Sequence, residues 1–283
     1  MSELNVLLLG GSRNIGYHAA IRLLASGATV TFLLRSTTVF DKDETMQSYI
    51  QSGKARLVKG DGLVKDDVQR AWEESGRDRP VDTVLFTVGG TPKLHIMKGA
   101  VIDPPNLCTQ CLLNTLTTMP KPSEANPNWP RMIVITSIGL TPSSHRSLPL
   151  LLRPVYSYLL EHPHNDKLGA ERLLFHCMGR PWPNDAPEPR QDIIGPDWPN
   201  SEGLPKFGTF ANILIVRPAL LTDGNCMADK NQASGKVDKK PYKVGEEELS
   251  GYTISRKDVA HFVVEDALMN WDRYCGTISV VAY

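Results

Sequence analysis

Short runs of apolar, β-branched residues alternate with helical patterns along the whole chain, and this alternation most constrains the fold. The apolar runs are continuous, as in strands buried on both faces, and they occupy 6–9, 30–34, 55–58, 83–88, 132–136, 213–216 and 277–281. The helical patterns between them occupy 15–26, 43–52, 65–75, 106–118, 163–178 and 256–270. This order predicts an α/β fold, a doubly wound parallel sheet with helices on both faces. Ligands of such sheets bind beyond the carboxyl ends of the strands.

Length and composition favour a single domain over residues 1–283. A chain of 283 residues, 41% of them hydrophobic, can bury a large core. Because 31 basic residues balance 31 acidic ones, we expect neither nucleic acid nor a membrane surface as a partner, although local basic patches stay open. The small-molecule substrate that we expect follows from the motifs below. Five cysteines, an odd number, and an opening without a charged and apolar leader predict a cytoplasmic protein with reduced thiols. The oligomeric state stays open.

Two segments interrupt the alternation and are candidates for substrate or lid loops. Residues 180–208 are rich in proline and contain Trp182 and Trp198, whereas residues 222–252 are polar and include a charged run. Long irregular loops are either functional lids or surface segments. The two tryptophans, with Tyr252, could form an aromatic wall for a planar substrate or could fasten the loops to the domain. For the charged run a solvated surface loop is favoured.

A glycine-rich turn follows the first predicted strand and has the sequence GGSRNIG over residues 10–16. Backbone N–H groups and the positive end of a helix starting near Ile15 would then face a pyrophosphate. Gly10 suits a tight turn, and Gly16 allows the helix to approach the strand or the cofactor closely. Asn14 stands where a third glycine is usual, but asparagine tolerates a left-handed backbone. We therefore expect a nucleotide-binding turn, with an ordinary strand-to-helix turn as the alternative.

The end of the second predicted strand indicates which dinucleotide is bound. An acidic residue there would bind the ribose hydroxyls of NAD, but the chain has Arg35 followed by hydroxyl groups from Ser36 to Thr38. These groups suit a 2′-phosphate, and Arg13 could approach the same phosphate. We expect NADP(H), with a surface arginine as the alternative reading. Asp61 could accept a hydrogen bond from the adenine amino group, although an Asp-Gly turn explains it equally well.

With these motifs the sequence resembles the atypical short-chain dehydrogenases/reductases, in the branch that includes nitrogen-metabolite-repression regulators and biliverdin/flavin reductases. The segments that carry the resemblance are 10–16, Arg35, 60–61, 87–90, 134–139, 166–174, 216–224 and 254–264. It implies a Rossmann-like fold with the nicotinamide near the ends of the fourth to sixth strands. The predicted cofactor-binding residues are Gly10, Ser12, Arg13, Asn14, Ile15, Gly16, Arg35, Ser36, Asp61, Val88, Gly89, Gly90, Lys167, Pro218 and Leu220.

The resemblance also implies catalytic residues, and here the chain departs from the family pattern. Active members use a serine and Tyr-x-x-x-Lys, in which the tyrosine gives a proton to the carbonyl. Ser137 and Lys167 match the serine and the lysine, but Pro163 stands in place of the tyrosine. The flanking His162 and His164 could supply a proton near neutral pH.

A purely structural interpretation of the same segment is open as well. His162 could be the N-cap of a helix that has Pro163 at its first position and Asp166 in its first turn. Lys167 and Glu171 would then form an exposed pair on that helix, worth about 0.2–0.5 kcal/mol.

No metal site is predicted. Cys108 and Cys111 form Cys-x-x-Cys, but no second paired motif completes a zinc site, so structural thiols are favoured over a redox centre. The function that these observations favour is hydride transfer from NADPH to a small, conjugated or planar organic substrate. Two alternatives stay open: a non-catalytic NADP sensor with a protein partner, and a redox-neutral isomerase or cyclase on the same scaffold.

Overall fold

A computed structural model describes residues 3–91, 93–95, 99–124, 126–140, 153–236, 238–246, 249 and 251–283. The strands are β1 (Asn5–Leu9), β2 (Thr29–Leu34), β3 (Ala55–Lys59), β4 (Thr83–Phe86), β5 (Lys93–His95), β6 (Gly99–Val101), β7 (Arg131–Ile135), β8 (Ile213–Pro218), β9 (Leu220–Thr222), β10 (Lys243–Gly245), β11 (Thr253–Ser255) and β12 (Ile278–Ala282). The helices are α1 (Asn14–Ala25), α2 (Glu44–Gln51), α3 (Lys65–Gly76), α4 (Leu107–Thr118), α5 (Arg153–Met178), α6 (Gln191–Ile194), α7 (Met227–Ala233), α8 (Arg256–His261) and α9 (Trp271–Tyr274).

Eight strands form the central sheet in the order β10-β12-β8-β7-β4-β1-β2-β3. Neighbouring strands are parallel, except that β10 at one edge runs antiparallel to β12. All seven predicted strands lie in this sheet, and the prediction of a doubly wound, Rossmann-like sheet is confirmed. Two small ribbons accompany it: β5 pairs with β6, and β9 pairs with β11.

Burial on both faces explains the continuous apolar runs. Successive residues of a strand point to opposite sides of a sheet. In β1, Val6 and Leu8 accordingly enter one core with α1 and α8, whereas Leu7 and Leu9 enter the other with α3, α4 and α5. The sheet therefore separates two hydrophobic cores, and its carboxyl edge lies between two layers of helices.

Helix α5 begins at Arg153, and Pro163 lies inside it. The prediction that His162 caps this helix and Pro163 starts it is wrong; the side chain of His162 lies outside the described residues. A proline in a helix interior costs roughly 3 kcal/mol, because it removes a backbone hydrogen bond and crowds the preceding turn. The second half of α5 buries Leu173 and Leu174 completely, and this packing outweighs that cost.

The segment 180–208 is fastened to α5 by its aromatic rings. The ring of Trp182 lies 5.0 Å from that of Phe175, and the ring of Trp198 lies 5.1 Å from that of His176. The Arg172 guanidinium lies 5.3 Å and 5.5 Å from the centres of the two indoles. Short helical turns interrupt the segment, at α6 and at Trp198–Asn200. These contacts support the fastening alternative.

The segment 222–252 is more regular than predicted. It contains α7, and β10 of its charged run adds an edge strand to the sheet with Tyr242 buried beside it. No described helix combines the length and the apolar character needed to cross a membrane.

Candidate active site

A cleft of about 890 Å³ lies at the carboxyl ends of β1, β2, β3, β4 and β7, where the fold predicts a ligand. Twelve of the predicted cofactor-binding residues line it: Gly10, Ser12, Arg13, Asn14, Ile15, Arg35, Ser36, Asp61, Val88, Gly89, Gly90 and Lys167. The cleft therefore extends from the end of β2 to α5 and brings together residues from several distant parts of the chain.

The glycine-rich turn has the backbone that the sequence predicts. Gly10 has φ +87°, and a Cβ there would lie 2.6 Å from the Thr87 carbonyl carbon. Asn14 has φ +57° and is the one non-glycine residue with positive φ in the described part of the chain. Gly16 lies outside the cleft lining, because it packs α1 onto the turn: a Cβ there would lie 2.5 Å from the Gly10 carbonyl oxygen.

At the end of β2, Arg35 and Ser36 form one end of the cleft. The Ser36 hydroxyl accepts a hydrogen bond from the Thr38 amide at 3.3 Å and caps the short helical turn Thr37–Phe40. Arg35 is exposed, and no described residue forms a hydrogen bond or an ion pair with it. Its guanidinium therefore borders the cleft with its donors available to an anion.

Arg13 extends toward a different side of the cleft from the one predicted. Its Nη2 donates to the Thr91 hydroxyl at 2.5 Å. Thr91 follows β4, which lies on the opposite side of β1 from β2. In this arrangement Arg13 therefore binds Thr91 and does not meet Arg35, so their approach to one phosphate stays a prediction.

Lys167 joins the ends of two strands. Its Nζ donates to the carbonyl oxygens of Val88 at 3.0 Å and Ile135 at 2.9 Å, after β4 and at the end of β7. The preceding residue, Asp166, is fully buried and accepts the Cys108 and Thr109 amides at 2.8 Å. Asp166 thus caps α4 rather than the start of its own helix.

Glu171 is buried, so the predicted exposed pair with Lys167 is wrong. Its carboxylate binds Arg217 of β8 through two hydrogen bonds of 2.9 Å and 2.5 Å, and it accepts the Thr136 hydroxyl at 2.7 Å. Helical spacing places residues 167 and 171 on one face, but that face packs against the sheet, and each side chain has its own partners there.

Ser137 and His164 lie next to the cleft rather than in its lining. Ser137 directly follows Thr136, which does line the cleft, and its hydroxyl has no hydrogen-bond partner among the described residues. The His164 ring packs against Gly139, where a Cβ would lie 3.0 Å from its Cε1. The helix therefore holds an imidazole beside the turn that carries Ser137.

Two predicted residues near β8 miss the cleft. Pro218 is buried in β8. Leu220 is 51% exposed, and its neighbour Leu221 lines the cleft instead, because successive residues of a strand point to opposite sides.

Several residues that were not predicted from the sequence also line the cleft. They include Val39, Gly62, Thr87, Thr91, Leu107, Cys111, Ile135, Thr136, Leu221 and Arg256. Thr87, Thr91, Ile135 and Thr136 lie at predicted strand ends, and that signal could have found them. Arg256 has no such signal, because it reaches the cleft from a separate ribbon.

The cleft is positively charged in a chain of zero net charge. Among the described residues, four cationic side chains line it, from Arg13, Arg35, Lys167 and Arg256, and Asp61 supplies the one carboxylate. An excess of fixed positive charge in a concave site favours an anionic ligand.

The two cysteines of the Cys-x-x-Cys sequence are buried thiols. Burial raises the pKa of Cys108 to about 12 and also raises the pKa of Cys111. The Cys108 thiol donates to the Val88 carbonyl at 3.3 Å. Among the described residues there is no disulfide and no group of side chains suited to a metal ion. These thiols are protonated near neutral pH, which favours the structural reading.

Two curated fungal proteins are similar to the chain, although no protein-family model matches it. Reductase pytE of Aspergillus terreus is 27% identical over 207 residues, which cover 71% of this chain and 67% of that protein. Oxidase pynE of Aspergillus niger is 26% identical over 281 residues, which cover 90% of this chain and 85% of that protein.

Solved structures share the fold. Yeast methylglyoxal/isovaleraldehyde reductase Gre2, solved with NADPH, has a TM-score of 0.57 at 13% identity, covering 98% of this chain and 77% of that one. A short-chain dehydrogenase/reductase mutant of Serratia marcescens has a TM-score of 0.53 at 16% identity, covering 100% and 97%. Together with the two fungal relatives, these structures confirm the predicted resemblance: the chain has the Rossmann-like fold of short-chain dehydrogenases/reductases and is similar to fungal proteins named as a reductase and an oxidase.

Proposed function

We propose that the protein is an NADP(H)-dependent oxidoreductase that transfers a hydride between the nicotinamide and a small, conjugated or planar organic substrate. The observation that carries this proposal is the continuous cationic cleft from Arg35 at the end of β2 to Lys167 between β4 and β7. The relatives named as a reductase and an oxidase support the oxidoreductase class. The fold shared with a reductase solved with NADPH supports a nicotinamide cofactor.

The residues at the β2 end of the cleft fit a dinucleotide that carries a 2′-phosphate. The N-terminus of α1 and the glycine-rich turn would hold the diphosphate, because their N–H groups and the helix dipole favour negative charge. The Arg35 guanidinium suits a phosphate, and Ser36 adds a hydroxyl group beside it. Asp61 would bind the adenine amino group.

Lys167 would hold the other end of the cofactor. An ammonium group has three N–H donors, and the carbonyls of Val88 and Ile135 accept two of them. The third would bind a hydroxyl group of the nicotinamide ribose. When bound there, NADPH supplies the hydride.

The proton would come from a group other than tyrosine, since Pro163 takes that position. In our proposal Ser137 orients the substrate, while His164, water or the substrate itself gives the proton. A conjugated acceptor spreads the negative charge left by hydride addition over several atoms, so it needs a strong acid less than a simple ketone does. An imine that is already protonated accepts the hydride to give a neutral amine, so it needs no further acid at that step. Enones and protonated imines are therefore the preferred substrates.

Replacing Arg35 tests the cofactor preference. Arg35→Gln should weaken NADP+ binding by about tenfold or more, the effect of losing a hydrogen bond to a charged group, and should change NAD+ affinity by less than about twofold. Calorimetric titration measures both, with Arg190→Gln as a control because Arg190 pairs with Asp192 outside the cleft lining. Equal NADP+ affinity in Arg35→Gln and the parent chain would contradict the proposal.

Replacing Lys167 tests the hydride-transfer reaction. Lys167→Ala should lower the rate of NADPH oxidation with a panel of enones and imines by about a hundredfold, because a ribose displaced by an ångström misaligns the reacting atoms. The exposed Lys121 provides the control variant Lys121→Ala. Full activity in Lys167→Ala would rule out its assigned role.

The same assays separate the alternatives. Tight NADP+ binding without turnover of any substrate would identify a sensor. Product formation without net consumption of NADPH would identify an isomerase or a cyclase.

A further inference from the structure

Arg256, the first residue of α8, lines the cofactor cleft although the function proposed above gives it no role. It follows β11 directly, and Leu221 of the paired strand β9 lines the same cleft. The β9–β11 ribbon thus forms a wall of the cleft and brings a cation to it from the C-terminal part of the chain.

The guanidinium of Arg256 forms only a weak ion pair. Its Nη1 donates to Asp223 Oδ1 at 2.7 Å, and Asp223 follows β9, so the pair lies at the carboxyl ends of both ribbon strands. The Asp223 side chain is 86% exposed, whereas that of Arg256 is 23% exposed. An ion pair with one partner so exposed contributes at most about 1 kcal/mol. A better-held anion in the cleft can therefore displace Asp223.

The position of Arg256 indicates which phosphate it would meet. Helix α8 packs against α1, whose first residues, Asn14 and Ile15, line the cleft. Arg256 also lies close enough to α1 to act on His18: burial lowers the pKa of His18, Lys257, Arg22 and Arg256 lower it further, and Asp223 opposes them. The ribbon contacts β12, which lies on the opposite side of β1 from β2 in the sheet. Arg256 thus faces the N-terminus of α1 rather than Arg35.

A buried network fixes the backbone that carries Arg256. The Ser255 hydroxyl accepts the Asp258 amide at 2.9 Å and caps α8, while the Asp258 carboxylate accepts the Met227 amide at 2.9 Å. Asp258 is fully buried. The start of α8 is therefore held in place, and a change of partner by Arg256 needs only its side chain to move.

We infer that Arg256 is a diphosphate-binding residue, which exchanges Asp223 for the diphosphate of the dinucleotide held at the N-terminus of α1. This inference rests on the proposed dinucleotide site and adds a ligand to it from outside the glycine-rich turn. A dinucleotide bound in the cleft then connects the β9–β11 ribbon to α1, through Arg256 and the diphosphate. Because the diphosphate is common to NAD and NADP, Arg256 contributes to affinity for both cofactors and not to the choice between them.

Calorimetric titrations of Arg256→Gln with NADP+, NAD+ and ADP test this inference. All three dissociation constants should rise by a similar factor of about ten, since each ligand loses one hydrogen bond from a charged donor. Asp223→Asn removes the competing carboxylate and should tighten binding of all three by up to about fivefold. The controls are Arg190→Gln and Glu188→Gln, which remove the same charges from surface pairs whose residues lie outside the cleft lining.

Two results would overturn the inference: unchanged affinities in Arg256→Gln, or a loss confined to NADP+, which would place Arg256 at the 2′-phosphate. The titrations of the parent chain judge the proposed function separately. If the parent chain binds ADP but neither dinucleotide, the proposed function fails and the effect of Arg256→Gln on ADP decides the inference. If the parent chain binds none of the three ligands, both fail.

Discussion

At the scale of single residues, Asn14 shows how a departure from a motif can keep the motif's geometry. Its φ of +57° lies in the left-handed region, which costs an ordinary residue roughly 1–2 kcal/mol. Asparagine visits this region more readily than other non-glycine residues. The turn thus keeps its backbone without the third glycine, and Asn14 stays in the wall of the cleft.

A β-branched residue should not be accepted at this position. Asn14→Val is expected to lower the free energy of unfolding by about 1–2 kcal/mol, the cost of forcing such a residue into the left-handed region, whereas Asn14→Gly should stay within about 0.5 kcal/mol. Urea denaturation measures both. The exposed Asn200, whose φ is negative, provides the control Asn200→Val. Equal losses in the two valine variants would show that the backbone at Asn14 bears no strain.

Residue spacing predicts which side chains share one face of a helix, but it does not predict whether that face is buried. The sequence places Lys167 and Glu171 on one face of a helix, as the structure does, but four-residue spacing does not tell which face meets the sheet. Their partners, the Val88 carbonyl and Arg217, come from other elements. The prediction that Leu220 lines the cleft was wrong for a related reason. A shift of one position along a strand moves the side chain to the other face of the sheet.

At the scale of elements, long periodic segments were predictable and short ones were not. The sequence predicts seven of the eight strands of the central sheet, because each of the seven carries a run of apolar residues long enough to be recognised. The strands β9, β10 and β11 have three residues each, too few for a periodic pattern, and their pairing depends on distant neighbours. The β9–β11 wall of the cleft was missed for this reason.

The contacts of segment 180–208 lead to a prediction that separates an anchor from a lid. Trp198→Leu keeps an apolar side chain but removes the ring that packs on His176 and Arg172. It should lower the free energy of unfolding by about 0.5–2 kcal/mol, through the lost aromatic and cation–π contacts. NADP+ affinity should stay within about twofold of the parent value. A changed KM for substrate with unchanged stability would instead identify a lid.

At the scale of the whole molecule, one buried carboxylate joins the C-terminal elements. Asp258 accepts hydrogen bonds from the Tyr283 hydroxyl at 2.5 Å, the Ser255 hydroxyl at 2.7 Å and the amides of Met227 and Ala228. Burial alone would raise the pKa of Asp258, but these donors hold it below its ordinary value. A carboxyl group with a depressed folded-state pKa stabilises the fold above its unfolded pKa of about 3.9 and loses that contribution as the pH falls through the folded value.

The stability of the molecule should therefore depend on pH through this network. Tyr283→Phe removes one donor and should cost about 1.5–3 kcal/mol at pH 7, as for a hydrogen bond to a charged group. Below about pH 4 the cost should shrink, because protonation of Asp258 weakens the bond in the parent chain. Denaturation at several pH values measures this, with Tyr49→Phe as the control. A cost that does not vary with pH would show that Tyr283 acts through packing alone.

The sequence predicted the location of the cleft better than its chemistry. The sequence identifies Gly10, Asn14 and Arg35 as site residues because each lies within a few residues of a predicted strand end. The parallel sheet then brings these strand ends together. Arg256 could not be found this way, because its place depends on how α8 packs against α1. The role proposed for His164 as a proton donor depends on the surroundings of its ring, which no local pattern specifies.

Three polar side chains of helix α5 that contact other elements lie within the six residues 166–171: Asp166 caps α4, Lys167 joins β4 to β7, and Glu171 binds Arg217 of β8. Pro163 lies just before these residues. A library randomised at position 163 should therefore yield many clones that fold and bind nucleotide, whereas one randomised at Asp166 or Glu171 should yield few. Natural selection could then replace the residue that gives the proton while the rest of the fold stays the same. Among proteins related to this one, the reaction catalysed would then vary more than the cofactor that is bound.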